Sequence, residues 1–586
     1  GQARVYLDTV NPAKTEQLLE EAILLSDGFE DREAQVRLYE LLAENKLNAG
    51  RVDEAERLRE RAEDLRLEGP SNEELLFRVL LRTGRLDEAR RGLEARAEAE
   101  KHEPVQTPRA HRETMLLLSL IYSFMGLGED AYLAALEGTR RGDELKSPFV
   151  TAVGYMRQGH ALMLSGSVDV RAKNFARART QFGKSVEISK SLVLSRLQVE
   201  AGWGLCRAYG YQGDLTTAQR HAQVAIETAE QAGDEWVASL TRLAMGASLS
   251  LAARYEAAEE WLDRALLGFQ ECSDPFGATA TRLWLSLGFS KQNQAVRLER
   301  FLPEVLVACQ EYGYGFLFTR PSLLGASDES VFIPLLISAR DAGWQENYAM
   351  QLLSESGLAS AETHPGYRLR VQTMKTFQVW RGSELIPANG WRREKAKQLF
   401  QLLLTYRNSS LDREQICEYL WAEADPSVAQ RNFKTTLNTL YQVLEPNREP
   451  SSPSAFIERD GTSYRLRRPA DLWLDANEFS AAVREALSAT PPDLGLLQRA
   501  AALYAGEYLP ETLYETWAAE ERERFSSLFL EIADQLADLL LDAKEYTESI
   551  ELCQRILAQD NCWERAYRDM MQAYDHLGDR GQIGRA

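Results

Sequence analysis

Apolar residues recur at i, i+3 and i+4 along most of this chain, the period of helices that bury one face. Twice the pattern itself repeats at a constant distance. GRVDEAERLRERA at 50–62 returns as GRLDEARRGLEARA at 84–97, setting Ala55 and Ala89 34 residues apart. Farther on, NFARARTQF, GDLTTAQRH and ARYEAAEEW place Ala178, Ala218 and Ala258 at intervals of 40. Each unit reads as an apolar helix ending near Gly, a short turn, and a second helix with Ala at its start. A small side chain there lets neighbouring helices approach closely. Near the end, KEYTESIELCQRILAQD and ERAYRDMMQAYDHLGDRGQI repeat the design, with the turns KEYTES and GDRGQI 34 residues apart.

Two constant periods favour stacked hairpins over a generic helical bundle. The segments resemble tetratricopeptide repeats, and the 40-residue spacing is similar to the longer repeats of MalT-like regulators. The expected fold class is mainly α, with a repeat solenoid over 1–360. A solenoid offers a concave surface for an unknown effector or protein. Trp203, Trp236, Trp261 and Trp284 are candidates to line that surface or to fill the core.

From residue 367 the period changes. Alternating and β-branched residues over 367–379 predict short strands, with a turn at WRGSE (380–384) before Leu385 and Ile386. A helix follows over 393–407, with Ala396, Leu399, Phe400 and Leu403 on one face. Leu411-Asp412 opens a second, N-capped by Asp412, with Ile416, Leu420 and Trp421 inward. After the turn ADPS a third helix runs over 428–444, and Asp460-Gly461 marks a hairpin over 455–468. On the third helix Phe433, Leu437, Leu440 and Leu444 form a buried stripe. Arg431, Lys434, Thr435, Asn438 and Gln442 share the other side without an acidic residue. Arg can read guanine and Asn or Gln adenine in a major groove, while Lys and Thr mostly hold phosphates. The hairpin adds Arg459, Thr462, Arg465, Arg467 and Arg468, suited to the minor groove or the flanking backbone. Residues 368–468 hold 17 Lys and Arg against 11 Asp and Glu, a local +6 in a chain of −20. A positive field inside an acidic protein is the footprint of a polyanion-binding module, the alternative being a solvated basic face.

Strands, three helices and a hairpin in this order make a winged helix-turn-helix, and 367–468 resembles the OmpR/PhoB type. REKAKQLFQLLL, DREQICEYLWAEADP and TLYQVLEP, followed by LDANEF (474–479), YAGEYLP (504–510) and WAAEERERF (517–525), resemble the SARP/AfsR-type activators. The resemblance implies three domains: the solenoid at 1–360, the winged helix at 366–470, and an all-helical, tetratricopeptide-like bacterial transcriptional activation domain at 471–586. It further implies a bacterial, cytoplasmic activator that binds direct repeats in double-stranded promoter DNA, as a homo-oligomer or otherwise, and recruits RNA polymerase. The loop Ala424, Asp425, Pro426, Ser427 is then the polymerase-contact candidate. Family members often end the third helix with an arginine cluster, where this chain has Asn438, Thr439, Tyr441 and Gln442. Fewer cations there imply a gentler salt dependence.

Other chemistries find little support. The octet 178–185 (ARTQFGKS) fits a relaxed phosphate-loop pattern, but it lies on a helical face defined by Phe175, Ala178, Phe182, Val186 and Ser189, with no strand before it. No Ser/His/Asp set, GxGxxG or carboxylate pair suggests an enzyme or a cofactor. The six cysteines contain no CxxC pair and fit reduced cytosolic thiols, and the six histidines lack metal-ligand spacing. No apolar run reaches membrane-spanning length, and the first residues form no signal peptide. Gly1 in place of Met, and a stop inside the last repeat, suggest a fragment; a STAND-type ATPase domain, if the parent protein has one, would precede Gly1. The alternative function is a tetratricopeptide scaffold that uses its winged helix for protein contacts.

Overall fold

Ala55, Ala89, Ala178, Ala218 and Ala258 are each at most 1% exposed in the computed structural model, which describes residues 12–27, 31–67, 72–102, 107–109, 113–164, 168–192, 195–382, 384–448, 452–467 and 472–583. Ala55, Ala89, Ala218 and Ala258 lie in the first turn of a second helix, whereas Ala178 lies midway along the longer helix Val168–Leu192. Helical hairpins succeed one another from Arg32–Asn48 with Val52–Leu65 to Pro275–Lys291 with Ala295–Tyr312. Asp214, Asp234 and Asp274 cap first-turn amides, satisfying donors that a helix start leaves orphaned. The chain divides into two compact units, Gly1–Ser360 and Ala361–Ala586.

Inside the first unit the expected open concavity is filled by the chain itself. Tyr314, Leu317, Phe318, Leu323 and Leu324 are no more than 3% exposed. The Tyr314 hydroxyl donates to Gly84 O at 2.9 Å, and Trp284 Nε1 donates to Leu324 O at 2.9 Å. Arg207, fully buried, donates to Ser322 O at 2.9 Å. Gly84, at φ +71°, is one place where early and late repeats meet closely: a Cβ would stand 2.3 Å from the Tyr314 hydroxyl. Trp203, Trp236 and Trp284 are core residues, at 2%, 6% and 0% exposure, and Trp261 is half-buried. The octet 178–185 is continuous helix within Val168–Leu192, and Lys184 lies exposed over the Tyr155 ring. Its backbone forms no loop to wrap a phosphate.

In the second unit, β1 (Leu369–Gln372), β2 (Gln378–Arg381) and β3 (Glu384–Leu385) are antiparallel neighbours. The turn expected at 380–384 starts later, because β2 continues through Trp380 and Arg381. Arg370 of β1 pairs with Trp380 in register and stacks on its ring at 4.0 Å, which favours strand there. Helices α1 (Glu394–Thr405), α2 (Arg413–Trp421) and α3 (Pro426–Leu444) follow. The two-residue β4 (Leu411–Asp412) joins the hairpin of β5 (Ile457–Asp460) and β6 (Ser463–Leu466) in the order β4-β6-β5. Asp412 also caps α2, in a reciprocal box with Gln415.

The division expected at 470 is not a structural break. Strand β7 (Leu472–Leu474) pairs in parallel with β1, giving the order β3-β2-β1-β7, and leads directly into α4 (Asp475–Ser488). Helices α5 (Leu494–Leu503), α6 (Ala519–Asp542), α7 (Tyr546–Gln559) and α8 (Glu564–His576) complete the unit. One apolar core runs from Leu369 through Phe400, Leu440 and Phe479 to Ala573. At the junction the buried Asp475 carboxylate accepts from Thr373 N at 2.8 Å, Thr373 Oγ1 at 2.6 Å, Met374 N at 2.9 Å and Ala476 N at 2.8 Å. Arg407 donates to Asn477 at 2.8 Å and to Glu521 at 3.3 Å, and Lys397 pairs with Glu511. Backbone bonds Leu509 N to Thr373 O and Lys375 N to Glu507 O complete the seam.

Candidate nucleic-acid interface

Helix α3 is amphipathic and held from beneath. Phe433, Leu437, Leu440 and Leu444 are buried at 8% exposure or less, and Phe433 meets the hairpin's Tyr464 edge-to-face at 5.0 Å. That packing turns Arg431, Lys434, Thr435, Asn438 and Gln442 outward, and all five are exposed. Neither Arg431 nor Lys434 pairs with a carboxylate among the described residues. Thr435 donates to Arg431 O at 3.1 Å, and Thr439 repeats the bond to Thr435 O at 3.0 Å. At 1.5 Å per residue the stripe from Arg431 to Gln442 is about 16 Å long, enough to cross the roughly 12 Å major groove of B-DNA.

The hairpin cations divide. Arg459 is exposed at the tip, its Nε donating to Gly461 O at 3.0 Å. Thr462 is exposed, its hydroxyl 3.4 Å from Asp412 Oδ1. Arg465 is exposed but bonded at 2.8 Å to Glu458 across the hairpin. The pairing holds the Glu458 carboxyl below the usual range and cancels a charge counted as available in the sequence. Arg467 is half-buried and donates to Ser454 O at 3.3 Å, so it serves its own backbone. Arg468 lies outside the described residues.

Segment 424–427 is less a loop than the start of α3. Ala424 is half-buried, and Asp425 is the N-cap, accepting from Ser427 N at 3.1 Å and Ser427 Oγ at 2.9 Å. These bonds hold its carboxyl below the ordinary range. Pro426 and Ser427 occupy the first helical turn, where Pro costs no hydrogen bond.

Sequence reasoning missed Arg392 and Arg393, both exposed in the turn before α1. Arg392 Nη1 donates to Gln442 Oε1 at 2.9 Å. The doublet is visible in the motif WRREK, but its closeness to α3 comes only from tertiary packing.

Behind this face stands the helical half of the same core. Residues 474–582 match the family model of the bacterial transcriptional activator domain. No curated protein sequence matches the chain. Among solved structures, a Rap protein complexed with competence and sporulation factor is similar at 15% identity and a TM-score of 0.37, covering 56% of this chain and 95% of that one. The human IFIT1 dimer with m7Gppp-AAAA is similar at 12% identity and a TM-score of 0.25, covering 98% and 100%. The matched segment is of a kind found in transcriptional activators. No described helix is long and apolar enough to cross a membrane, and no described group of His, Cys, Asp and Glu could hold a metal ion.

Proposed function

We propose that this chain is a cytoplasmic, sequence-specific DNA-binding transcriptional activator of the SARP/AfsR type. In this reading 366–470 is a winged helix-turn-helix whose α3 enters the major groove of promoter DNA. The helical domain behind it, with the α3 cap at 424–427, faces RNA polymerase. The observation that carries the reading is the acid-free face of α3, its Arg431 and Lys434 without carboxylate partners among the described residues, on the same core as an activator domain. Arg431 and Asn438 are the base readers, and Lys434 and Thr435 hold phosphates. No cofactor or catalytic step is needed.

Selection of bound sequences from random duplex DNA tests the class directly, a direct repeat being the expected product. On that duplex Lys434→Ala should weaken binding evenly for all sequences, whereas Asn438→Ala should relax preference at one base position. Wild-type binding unchanged by both variants would remove α3 from the interface. The internally paired Arg465 and tethered Arg467 favour one competing reading, a scaffold whose winged helix makes protein contacts. Salt separates the two, because DNA binding weakens steeply with ionic strength and an apolar interface does not.

The repeat unit is proposed as the sensor of an effector or partner. The 313–326 segment fills the inner face of the repeats. Recognition therefore falls to the outer surfaces, to the cavity of about 780 Å³ lined by Glu94, Arg109, Tyr122 and Arg140, or requires that segment to move. Deleting residues 1–360 should change promoter affinity or its response to effector; no change in either would end the sensor idea.

A further inference from the structure

Arg392 stands where side chains other than glycine are rarely found. It follows the turn Ala388–Trp391, and its backbone has φ +58°, a region that disfavours residues with a Cβ. Trp391 anchors the turn, 6% exposed, with its ring centroid 5.8 Å from Phe377 and 6.1 Å from Phe400. The arginine beside it is exposed and has no carboxylate partner among the described residues. Its one side-chain bond among the described residues, at 2.9 Å, goes to the Gln442 amide oxygen in the last turn of α3. That turn carries no cation of its own.

Guanidinium only donates, so the Gln442 atom facing it is the amide oxygen. One donor is engaged there, and Arg keeps the remaining N–H groups of its planar fork for a second acceptor. Gln442 follows Arg431, Thr435 and Asn438 at spacings of 4, 3 and 4, so Arg392 extends the exposed stripe by the width of one side chain. A phosphate is the acceptor that a bidentate, unneutralised guanidinium suits best.

We infer that Arg392 is a DNA-backbone contact, held in orientation by Gln442, that supplies from the turn before α1 the cation which the C-terminal half of α3 lacks. The inference rests on the DNA-binding reading and refines it. Gln442 becomes a holder of Arg392 instead of a base reader.

The test uses the full chain and a duplex recovered by selection, with affinity measured between about 50 and 200 mM salt. Arg392→Gln should reduce the slope of log K against log salt by about 0.9, which is about fivefold weaker binding near 0.15 M. Arg392→Lys should keep the wild-type slope. Gln442→Ala should weaken all sequences evenly, and its loss should not add to that of Arg392→Gln. Arg392→Gly suits the backbone, so it should melt no lower than wild type yet bind like Arg392→Gln; a merely structural arginine would not separate these readouts. A wild-type slope for Arg392→Gln, while Lys434→Ala lowers it, overturns the inference and leaves DNA binding standing. Relaxed preference at a single base in Gln442→Ala overturns the holder role. Failure of the wild type to bind any recovered duplex defeats the underlying reading instead.

Discussion

Truncating Asp475 to Ala should destabilise the two halves of the second unit together. The carboxylate is 7% exposed and accepts bonds from Thr373 N, Thr373 Oγ1 and Met374 N, on residues that are themselves fully buried. The Thr373 hydroxyl can turn elsewhere, but the amides of Thr373, Met374 and Ala476 cannot. A buried donor left without an acceptor costs about 1–3 kcal/mol, so the gross loss is about 3–9 kcal/mol. Part is returned, since burial pushes the Asp475 pKa up and its removal relieves a desolvated charge. A net loss of about 2–4 kcal/mol remains, and in a body of this size that lowers the melting temperature by about 4–16 °C. Calorimetry measures the loss. Amide exchange read separately over β1–β2 and α6 asks whether protection falls in both, as one cooperative body requires. A loss under about 1 kcal/mol, or protection lost in one half alone, would refute the weld drawn from these distances.

Glu458→Gln should release Arg465 and steepen the salt dependence of DNA binding by up to about 0.9; an unchanged slope in anisotropy titrations would mean that Arg465 never reaches the duplex. Gly84→Ala should cost the first unit about 2–4 kcal/mol in denaturant unfolding, by overpacking against Tyr314 and by strain at φ +71°; a neutral result would show that the early and late repeats do not touch there. Asp274 is buried, and desolvation raises its pKa to about 6 despite bonds from Gly277 N and Trp236 Nε1. The native state therefore holds its proton above the unfolded pKa, and its contribution to stability should fall as pH rises from about 4 to about 6. Asp274→Asn should remove that slope from the pH profile of melting, and an unaltered profile would contradict the assignment.

Local features were legible in the sequence, and features made by distant residues were not. The buried alanines of the repeats and the two faces of α3 follow from helical spacing, which tertiary packing reinforced. The match over 474–582 agrees with motifs such as LDANEF and WAAEERERF. By contrast, a linear charge count could not show that Glu458 cancels Arg465, because that bond depends on hairpin register. Nor could it place Arg392 beside Gln442, 50 residues away. The filled interior of the repeats was hidden for the same reason: Tyr314 and Gly84 meet only after the array curls.

The parallel pairing of β7 with β1 bears on how this protein can be divided. A fragment cut at the expected domain boundary near 470 would leave Leu369–Gln372 as a bare edge bordered by apolar side chains, a template for intermolecular pairing. Such a fragment should precipitate or form strand-exchanged dimers, whereas a cut near 361 keeps all four strands of the sheet together. Shuffling of the two halves between genes would face the same barrier, so they are expected to travel as one inherited cassette.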